Sequence, residues 1–458
     1  MPVPTIPHAP LAPILLQAAG RTVPRYTSYP TALRFAAAVD GPVYAGWLSR
    51  LAGASEPVSI YLHVPFCRTI CSYCGCTTKA ALRDDPIRAY AETLRREIAL
   101  VTDKLGPVPV SHIHWGGGTP NILPPDCLDA VVGDLAAALR FQPGMEHAIE
   151  LDPRHVTREG AAHLASLGVN RASLGVQTLD PAVQEAIGRI QPLPVVARAV
   201  EFLRASGIAA VNVDLMFGLP RQTLASIEDT VRGVIALGPS RLAIFGYAHV
   251  PWMKSHQKLI DAATLPGAQE RLRQAALARA MLEAAGYVEI GIDHFAWGHD
   301  ELAVALRARR LRRNFQGYTT DGAATLIGIG ASSISRTPDG FAQNAPNTAS
   351  WRRAVEAGRL PTVRGKAFEG EDRLRGAVIA ELLCYFKVDL AEMATRYGTS
   401  AAVFAADLER LAPMVEAGWV EVEGAHVAIR QHRQEIARLV ASTFDAYLGA
   451  GGRHSLAV

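Results

Sequence analysis

Short apolar runs rich in β-forming residues alternate with longer Ala- and Leu-rich stretches from Val58 onwards. Six of the short runs predict strands, at residues 59–63, 112–115, 148–151, 171–175, 212–217 and 242–246. The longer stretches predict helices, among them residues 87–101, 125–139, 194–205, 224–237 and 269–285. Strands that alternate with helices indicate parallel strands joined by right-handed crossovers. Six such units are too few for a closed eight-stranded barrel, so the pattern leaves two folds, an open partial barrel and a doubly wound sheet.

Polar residues lie at or near the carboxyl end of every predicted strand. In chain order they are the cysteine loop 67–76, Gly116 to Thr119, Glu150 with Asp152, Gln177, Asp214, and Tyr247 with His249. Ligands of βα folds bind at the carboxyl edge of the parallel strands. Six successive units with polar groups at one edge indicate a binding site rather than packing.

The two ends of the chain differ from the βα segment. A proline-rich start predicts an N-terminal arm (1–55) before the barrel segment (56–300). A polar, aromatic and Gly-rich segment (301–364) is expected to extend the barrel and to cover its ligands. The rest (365–458) predicts a mainly helical domain with a β pair at 419–422 and 426–429 and a last helix to about residue 448, an order that resembles a winged helix.

Charge argues against nucleic acid as a partner. Residues 365–458 hold 10 Lys and Arg against 13 Asp and Glu, and an acidic module binds phosphates poorly. Over all 458 residues, 46 Lys and Arg nearly balance 43 Asp and Glu, which excludes a polyanion binder that works by bulk charge. With 49% hydrophobic residues, the chain can also bury a large core, which a disordered chain cannot.

Targeting signals are not evident in the sequence. No Lys or Arg precedes Arg21, so the basic start of a signal peptide is missing. No uninterrupted apolar run reaches the roughly 18 residues of a membrane helix. We therefore expect a soluble, cytoplasmic protein without a membrane partner.

The cysteines are concentrated in one loop. Four of the six lie in YLHVPFCRTICSYCGC (61–76), with the spacing C-x3-C-x2-C-x-C, whereas Cys127 and Cys384 stand alone. This distribution indicates a metal or iron–sulfur site in a reducing compartment rather than a disulfide framework. Structural zinc sites usually join two separate ligand pairs, which makes zinc the weaker alternative. An electron-transfer cluster with Cys76 as the fourth ligand also remains open.

A C-x3-C-x2-C motif directly after the first strand of a βα chain resembles the radical S-adenosylmethionine (radical SAM) superfamily. The resemblance implies a partial (β/α)6, TIM-like barrel within the α/β class. It also implies that Cys67, Cys71 and Cys74 hold a [4Fe–4S] cluster, whose open iron binds SAM. Cys76 would then be a free thiol close to the reaction, and we expect it to be required for activity without being a ligand.

Longer motifs resemble one family of that superfamily, the oxygen-independent coproporphyrinogen III oxidases. They are RYTSYPT (25–31), the cysteine loop with its lead-in, HWGGGTP (114–120) and NFQGYTT (314–320). The resemblance runs from about residue 21 to about residue 448. It implies the conversion of two propionates of coproporphyrinogen III to vinyl groups, with two SAM molecules consumed. It further implies an unidentified electron donor and no nucleic-acid partner; nothing in the sequence requires more than a monomer.

The same resemblance implies roles for individual residues. Tyr61, Gly116, Gly117, Gly118 and Glu150 would contact the first SAM. The second SAM site would comprise Gln177, Arg189 and Asp214, with Tyr73, Gly118, Thr119 and Ala248 nearby. Gln316 and Ile334 would contact SAM from the segment beyond the barrel. The catalytic candidates are Tyr61, His63 and Cys76.

The substrate of this family carries four carboxylates, which require cations around the cavity. The candidates are Arg25, Arg312, Arg313, Lys254 and Lys258, and the sequence does not rank them. Two related classes remain as alternatives, haem chaperones and anaerobic haem-degrading methyltransferases. The chaperones usually lack the last cysteine of the loop and the RYTSYPT arm, and both features are present here.

Overall fold

The computed structural model describes residues 20–449. Residues 1–19 of the predicted arm and residues 450–458 lie outside the described residues. The strands in this range are β1 (Val58–Val64), β2 (Phe66–Cys67), β3 (Lys79–Ala80), β4 (Pro109–Gly117), β5 (Arg140–Leu151), β6 (Arg171–Gln177), β7 (Ala210–Phe217), β8 (Arg241–Gly246), β9 (Tyr287–Ile290), β10 (His294–Trp297), β11 (Arg312–Asn314), β12 (Gly317–Thr319), β13 (Thr325–Ile329), β14 (Ile334–Thr337), β15 (Gly340–Asn344), β16 (Thr362–Ala367), β17 (Lys387–Asp389), β18 (Val420–Glu423) and β19 (His426–Ile429).

The α-helices of the described chain are α1 (Gly41–Arg50), α2 (Asp85–Leu105), α3 (Pro125–Ala138), α4 (Arg158–Ser166), α5 (Pro181–Ala186), α6 (Leu193–Ala205), α7 (Leu224–Leu237), α8 (Ala268–Ala284), α9 (Glu301–Arg307), α10 (Thr348–Glu356), α11 (Asp372–Tyr385), α12 (Leu390–Arg396), α13 (Ala405–Glu416) and α14 (Arg433–Thr443). Short 3-10 helices lie at Ala32–Arg34, Pro120–Ile122, Pro153–His155, Ser255–Leu259, Ala262–Thr264 and Ala401–Phe404. Among the described helices, none is both long enough and apolar enough to cross a membrane.

One large sheet organises the molecule. Its strand order is β16-β15-β14-β13-β1-β4-β5-β6-β7-β8-β10-β9. The run from β13 to β8 is parallel throughout, whereas β14 to β16 at one edge and β10 with β9 at the other are antiparallel. The predicted partial barrel of alternating strands and helices is confirmed. The seven parallel strands include β13, which comes from the segment that follows the predicted barrel and lies beside β1.

Alternating burial along the strands separates a packed outer face from an inner face. In β7, Val211, Val213 and Leu215 are buried, while Asn212 and Asp214 between them are half-buried. The apolar face of α2 packs into the same large core, with Leu94 and Ile98 buried. Burying one such side chain contributes about 1.5–3 kcal/mol. The helices therefore cover the outer face of the sheet, and polar residues are left for the inner face.

The C-terminal segment forms a second core with the described part of the arm. The helices α11 to α14 surround a three-stranded sheet of order β17-β19-β18, in which β18 and β19 form the expected β pair. The last helix ends at Thr443, a little before the predicted end. Tyr26 and Tyr29 of the RYTSYPT segment are buried in this second core. These two side chains thus join the arm to the C-terminal domain.

Candidate active site

The cysteine loop begins where β1 ends and is held at both sides. β2 pairs in parallel with β3, so the loop leaves and returns at the same place. Three contacts fix it from residues beyond β8: Gln257 Nε2 donates to the Tyr73 carbonyl at 2.8 Å, Lys254 Nζ donates to the Cys76 carbonyl at 2.9 Å, and His256 Nε2 lies 2.6 Å from the Cys74 carbonyl. The loop is therefore positioned by its backbone, which leaves the thiols available.

The three predicted cluster ligands have polar surroundings suited to thiolates. The hydroxyls of Thr78 and Thr119 lie 3.4 Å from Cys67 Sγ, and Arg189 Nη1 donates to Cys71 Sγ at 3.4 Å. A hydrogen bond with Cys76 lowers the pKa of Cys74 to about 6, although burial acts in the opposite direction. Donors around the sulfurs stabilise and tune thiolate-ligated iron–sulfur clusters.

The three predicted cluster ligands are free thiols of one short loop, as is Cys76, which is the exposed one of the four. Across residues 20–449, no three Cys, His, Asp or Glu side chains are grouped as the ligands of one metal ion. The C-x3-C-x2-C positions thus carry three free thiols, which thiolate ligation of a cluster requires.

Gly116, Gly117 and Gly118 form a strip of bare backbone at the end of β4. A Cβ on Gly117 would lie 2.6 Å from the His63 ring, and one on Gly118 would lie 2.5 Å from the Phe66 carbonyl. Gly117 also has φ +111°, a conformation that other residues rarely adopt. Only glycine fits this cradle, which brings backbone groups close to the cysteine loop.

Glu150 lies at the centre of a polar cluster inside the barrel. Its carboxylate accepts a hydrogen bond from the Gly117 amide at 3.2 Å and lies 3.3 Å from His114 Nε2. Burial acts to raise the pKa of Glu150, but His114 and the Gly117 amide outweigh it and hold the pKa below its ordinary value. The glutamate is therefore an anion at neutral pH, able to accept from an amine or a hydroxyl.

Tyr61 and His63 are two residues apart on β1 and share one face of that strand. The Tyr61 hydroxyl lies 3.1 Å from His63 Nδ1, and His63 Nε2 lies 3.2 Å from the Thr77 carbonyl in the cysteine loop. Burial lowers the pKa of His63, so the ring is neutral at pH 7. His114, to which the sequence motifs assign no role, stacks on Tyr61 with ring centroids 6.0 Å apart. Its two-residue spacing from Gly116 along β4 was the available signal.

Gln177, Asp214 and Ser173 continue the inner surface across β6 and β7. The Ser173 hydroxyl donates to Asp214 at 3.4 Å, and Gln177 has φ +66°, which is rare outside glycine. Burial, reinforced by the charge of Glu150, raises the pKa of Asp214 to about 6. A strained glutamine beside a carboxyl of raised pKa is typical of a binding surface.

Arg189 is a buried cation next to the cysteine loop. It lies in the loop after α5. Its guanidinium contacts Asp152 at 3.2 Å and donates to the Gly175 carbonyl at 2.7 Å as well as to Cys71. Burial acts to lower the pKa of Arg189, but Tyr73, Asp152 and Cys71 outweigh it and raise the pKa. Through its hydrogen bonds to Cys71 and Gly175, this cation links the cysteine loop to β6.

Of the remaining predicted SAM residues, Tyr73, Ala248 and Gln316 lie around the loop and the cavity beside it, whereas Ile334 does not line that cavity. Tyr73 packs beneath the loop with Val183 and Tyr247. Gln316 and Ala248 line the cavity, and the Nε2 atom of Gln316 is buried without a hydrogen-bond partner. Such an orphaned donor fits a bound ligand that would supply an acceptor. Ile334 opens β14, and a Cβ on Gly328 would lie 2.7 Å from its carbonyl.

The cavity has a volume of about 510 Å³ and a wall rich in arginine. Arg25 and Arg313 line it, as two of the five cation candidates, whereas Arg312, Lys254 and Lys258 do not. Three further arginines in the wall are not among the candidates from the sequence, and they are Arg271, Arg279 and Arg438. They lie on α8 and α14, far apart along the chain, and no local pattern brings them together.

Comparison with known proteins agrees with this geometry. Residues 61–234 match the family model described as the Radical SAM superfamily. The chain is 46% identical over 439 residues to the oxygen-independent coproporphyrinogen III oxidase of Bradyrhizobium diazoefficiens, across 95% of this chain and 97% of the relative. It is 43% identical over 441 residues to the enzyme of that name from Paracoccus denitrificans, across 95% and 96%. The solved structure of coproporphyrinogen III oxidase (HemN) from Escherichia coli matches with a TM-score of 0.89 at 34% identity, across 93% of this chain and 100% of that one.

The partial barrel and its cysteine loop define a radical SAM enzyme, an oxidoreductase whose class implies a [4Fe–4S] cluster and SAM. Full-length relatives at this identity identify the family within that class. The chain belongs to the oxygen-independent coproporphyrinogen III oxidase family. The resemblance seen in the motifs is thereby confirmed. The family implies an iron–sulfur cluster at the cysteine loop rather than zinc.

Proposed function

We propose that this protein converts two propionates of coproporphyrinogen III to vinyl groups without oxygen, giving protoporphyrinogen IX in haem biosynthesis. Each propionate loses a hydrogen atom from its β-carbon, then CO2 and one electron. The reaction therefore needs a one-electron acceptor as well as a reductant for the cluster, and both remain to be identified. Two propionates require two hydrogen-abstraction events, which corresponds to two SAM molecules per turnover.

The cluster and the first SAM are assigned to the loop and the glycine strip. Cys67, Cys71 and Cys74 would hold the cluster, since their sulfurs lie among hydroxyl, amide and guanidinium donors. Together, a reduced cluster and SAM supply a 5′-deoxyadenosyl radical. The bare backbone of Gly117 admits the ligand, and the Glu150 carboxylate would accept hydrogen bonds from its ammonium or hydroxyl groups.

A second SAM site is assigned to the neighbouring inner surface. The residues are Gln177, Arg189 and Asp214, together with Gln316 from the cavity wall. The support for this site is the buried guanidinium of Arg189, the raised pKa of Asp214, and the Gln316 amide without a partner. Arg189 can pair with a carboxylate, while Asp214 can accept from ribose hydroxyls.

The observation that carries the proposal is the adjacency of the cysteine loop and the arginine-rich cavity. One side chain, Gln257, donates to the Tyr73 carbonyl in the loop at 2.8 Å and to the Ala248 carbonyl in the cavity wall at 3.3 Å. A polycarboxylate in the cavity would thus lie next to the site where hydrogen abstraction begins. Proximity of this kind supplies much of an enzyme's rate enhancement.

The test is an anaerobic assay of the reconstituted protein with coproporphyrinogen III, SAM and a reductant. We expect protoporphyrinogen IX, with two 5′-deoxyadenosines and two CO2 for each product. Absence of protoporphyrinogen IX and of 5′-deoxyadenosine would contradict the proposal. A parallel incubation with haem separates the alternatives, because stable haem binding without decarboxylation indicates a chaperone and ring opening indicates a degrading enzyme. Gel filtration and cell fractionation test the proposed monomeric state and cytoplasmic location.

A further inference from the structure

The cavity wall contains an excess of positive charge. Five arginines line it against two carboxylates, so the wall carries the same net charge, +3, as the whole chain. Both carboxylates are already engaged: Asp293 lies 2.6 Å from His294 Nδ1, and Glu435 pairs with Arg279 at 3.2 Å. The excess positive charge of the wall therefore favours an anionic ligand in the cavity.

Four of the arginines come from four separate parts of the chain. Arg25 belongs to the arm, Arg271 to α8, Arg313 to β11 and Arg438 to α14. Backbone carbonyls hold three of them: Arg25 donates to Gly246 at 3.2 Å, Arg271 to Tyr247 at 2.9 Å, and Arg313 to Arg25 at 3.0 Å. Carbonyls orient a guanidinium without neutralising its charge.

The arginines lie close enough to disfavour one another's charge. Burial lowers the pKa of Arg438 to about 10, and the charges of Arg25, Arg313 and Arg271 contribute in the same direction. The pKa of Arg271 falls to about 10 for the same reasons, burial first and Arg25 second. The Nε atom of Arg313 is buried without a hydrogen-bond partner. Neighbouring buried arginines of this kind repel one another and destabilise the protein without a ligand. A bound polyanion offsets that destabilisation.

We propose that Arg438, together with Arg25, Arg271 and Arg313, binds the propionate carboxylates of the substrate, so that the C-terminal domain forms one wall of the substrate site. The identity of the substrate rests on the proposed function, whereas the carboxylate site rests on the cavity. The tetracarboxylate matches a four-arginine wall, since each guanidinium can bind one carboxylate through two hydrogen bonds. This gives the winged-helix-like domain a role in substrate recognition.

The test compares Arg438→Met with Arg433→Met in the reconstituted holoenzyme. Both residues lie on α14, but Arg433 is exposed and does not line the cavity. The probes are coproporphyrin III, which has four carboxylates, and protoporphyrin IX, which has two, each titrated by fluorescence. For Arg438→Met we expect a Kd for coproporphyrin III raised about tenfold or more, a smaller change for protoporphyrin IX, and a raised KM with a nearly unchanged kcat. Arg433→Met should match the wild type.

Two controls test whether Arg438→Met merely misfolds: the Arg438→Lys variant and the iron content of every variant. The lysine variant keeps a cation, so it should recover part of the lost affinity, and all variants should retain iron and SAM binding. Equal affinity of the wild type and Arg438→Met for coproporphyrin III would overturn the carboxylate site, even if the enzyme is active. Equal losses for the two porphyrins would also overturn it. Conversely, weakened binding in Arg438→Met with no decarboxylation by the wild type would support the carboxylate site and refute the proposed reaction.

Discussion

At the scale of single residues, Cys76 differs from the other three thiols of its loop. It is exposed, and its amide donates to Cys74 Sγ at 3.4 Å. If three thiols hold the cluster, Cys76→Ser should retain the iron content and the visible spectrum of the wild type. Decarboxylation should nevertheless fall by roughly 100-fold or more, the usual contribution of a positioned proton-transfer group. Iron analysis and the anaerobic product assay measure the two effects.

Two other cysteines serve as controls for this prediction. Cys74→Ser should lose the cluster and all activity, whereas Cys127→Ser, which alters a half-buried thiol on α3, should keep both. Loss of iron in Cys76→Ser would show that Cys76 is a ligand, and the electron-transfer type of cluster would return as an alternative.

Gly117 permits a second residue-scale prediction. In Gly117→Ala the new methyl group would clash with the His63 ring, and φ +111° would add backbone strain of about 1–3 kcal/mol. We expect lower thermal stability and SAM affinity reduced by roughly tenfold or more. Gly133→Ala is the matched control, because that glycine lies in α3 with open space around it. It should leave SAM binding unchanged and stabilise α3 by about 1 kcal/mol at most.

At the scale of elements, Glu97 connects α2 to the turn after β13. Its carboxylate accepts from the Gly330 amide at 2.9 Å, from Trp351 Nε1 at 2.7 Å and from Asn344 Nδ2 at 2.5 Å. A Cβ on Gly330 would lie 2.6 Å from the His63 carbonyl, so this turn supports the strand that carries Tyr61 and His63. Glu97→Ala leaves the buried N–H groups of Gly330 and Trp351 without an acceptor and should lower the free energy of unfolding by about 2–4 kcal/mol.

The same carboxyl gives a pH dependence of stability. Burial raises the pKa of Glu97 from 4.5 to about 7, although three donors favour the charged form. Between these values the folded chain holds a proton that the unfolded chain has lost, so stability falls as the pH rises from about 4.5 to about 7. Glu97→Gln should make this slope shallower in anaerobic denaturation curves, whereas Glu92→Gln, at an exposed position of α2, should leave it unchanged. An unchanged slope in Glu97→Gln would refute the assignment.

The sequence was informative for local elements and uninformative for contacts between distant ones. Residue periodicity predicts the six parallel strands, and the motifs predict the cysteine loop and Glu150, because these features arise within short stretches of chain. The pairing of β13 with β1 joins residues 267 positions apart, and nothing in the sequence of either strand identifies its partner. Arg438 was missed for the same reason, since a cation on an amphipathic helix is usually solvated and only the tertiary contacts turn it towards the cavity.

At the scale of the whole molecule, the described part of the arm connects the C-terminal domain to the cavity. The Tyr26 hydroxyl donates to Asp445 at 3.0 Å, and the Tyr29 hydroxyl accepts from the Ala446 amide at 3.0 Å. Between and beside these anchors, Arg25 and Thr27 line the cavity. The alternation of buried tyrosines and cavity-lining residues explains why one short segment contains both kinds of side chain.

Tyr26→Ala should therefore disturb substrate binding without touching the cluster. Losing a buried aromatic ring costs about 3–5 kcal/mol, enough to loosen the arm around residue 26 while Tyr29 still anchors it. We expect a raised KM for coproporphyrinogen III, because Arg25 leaves the cavity, together with faster proteolysis near residue 26 and an unchanged iron content. Leu33→Ala, at a side chain that is 55% exposed, should behave like the wild type in all three measurements. If Tyr26→Ala becomes protease-sensitive while its KM stays unchanged, the arm anchors the C-terminal domain but does not bind substrate.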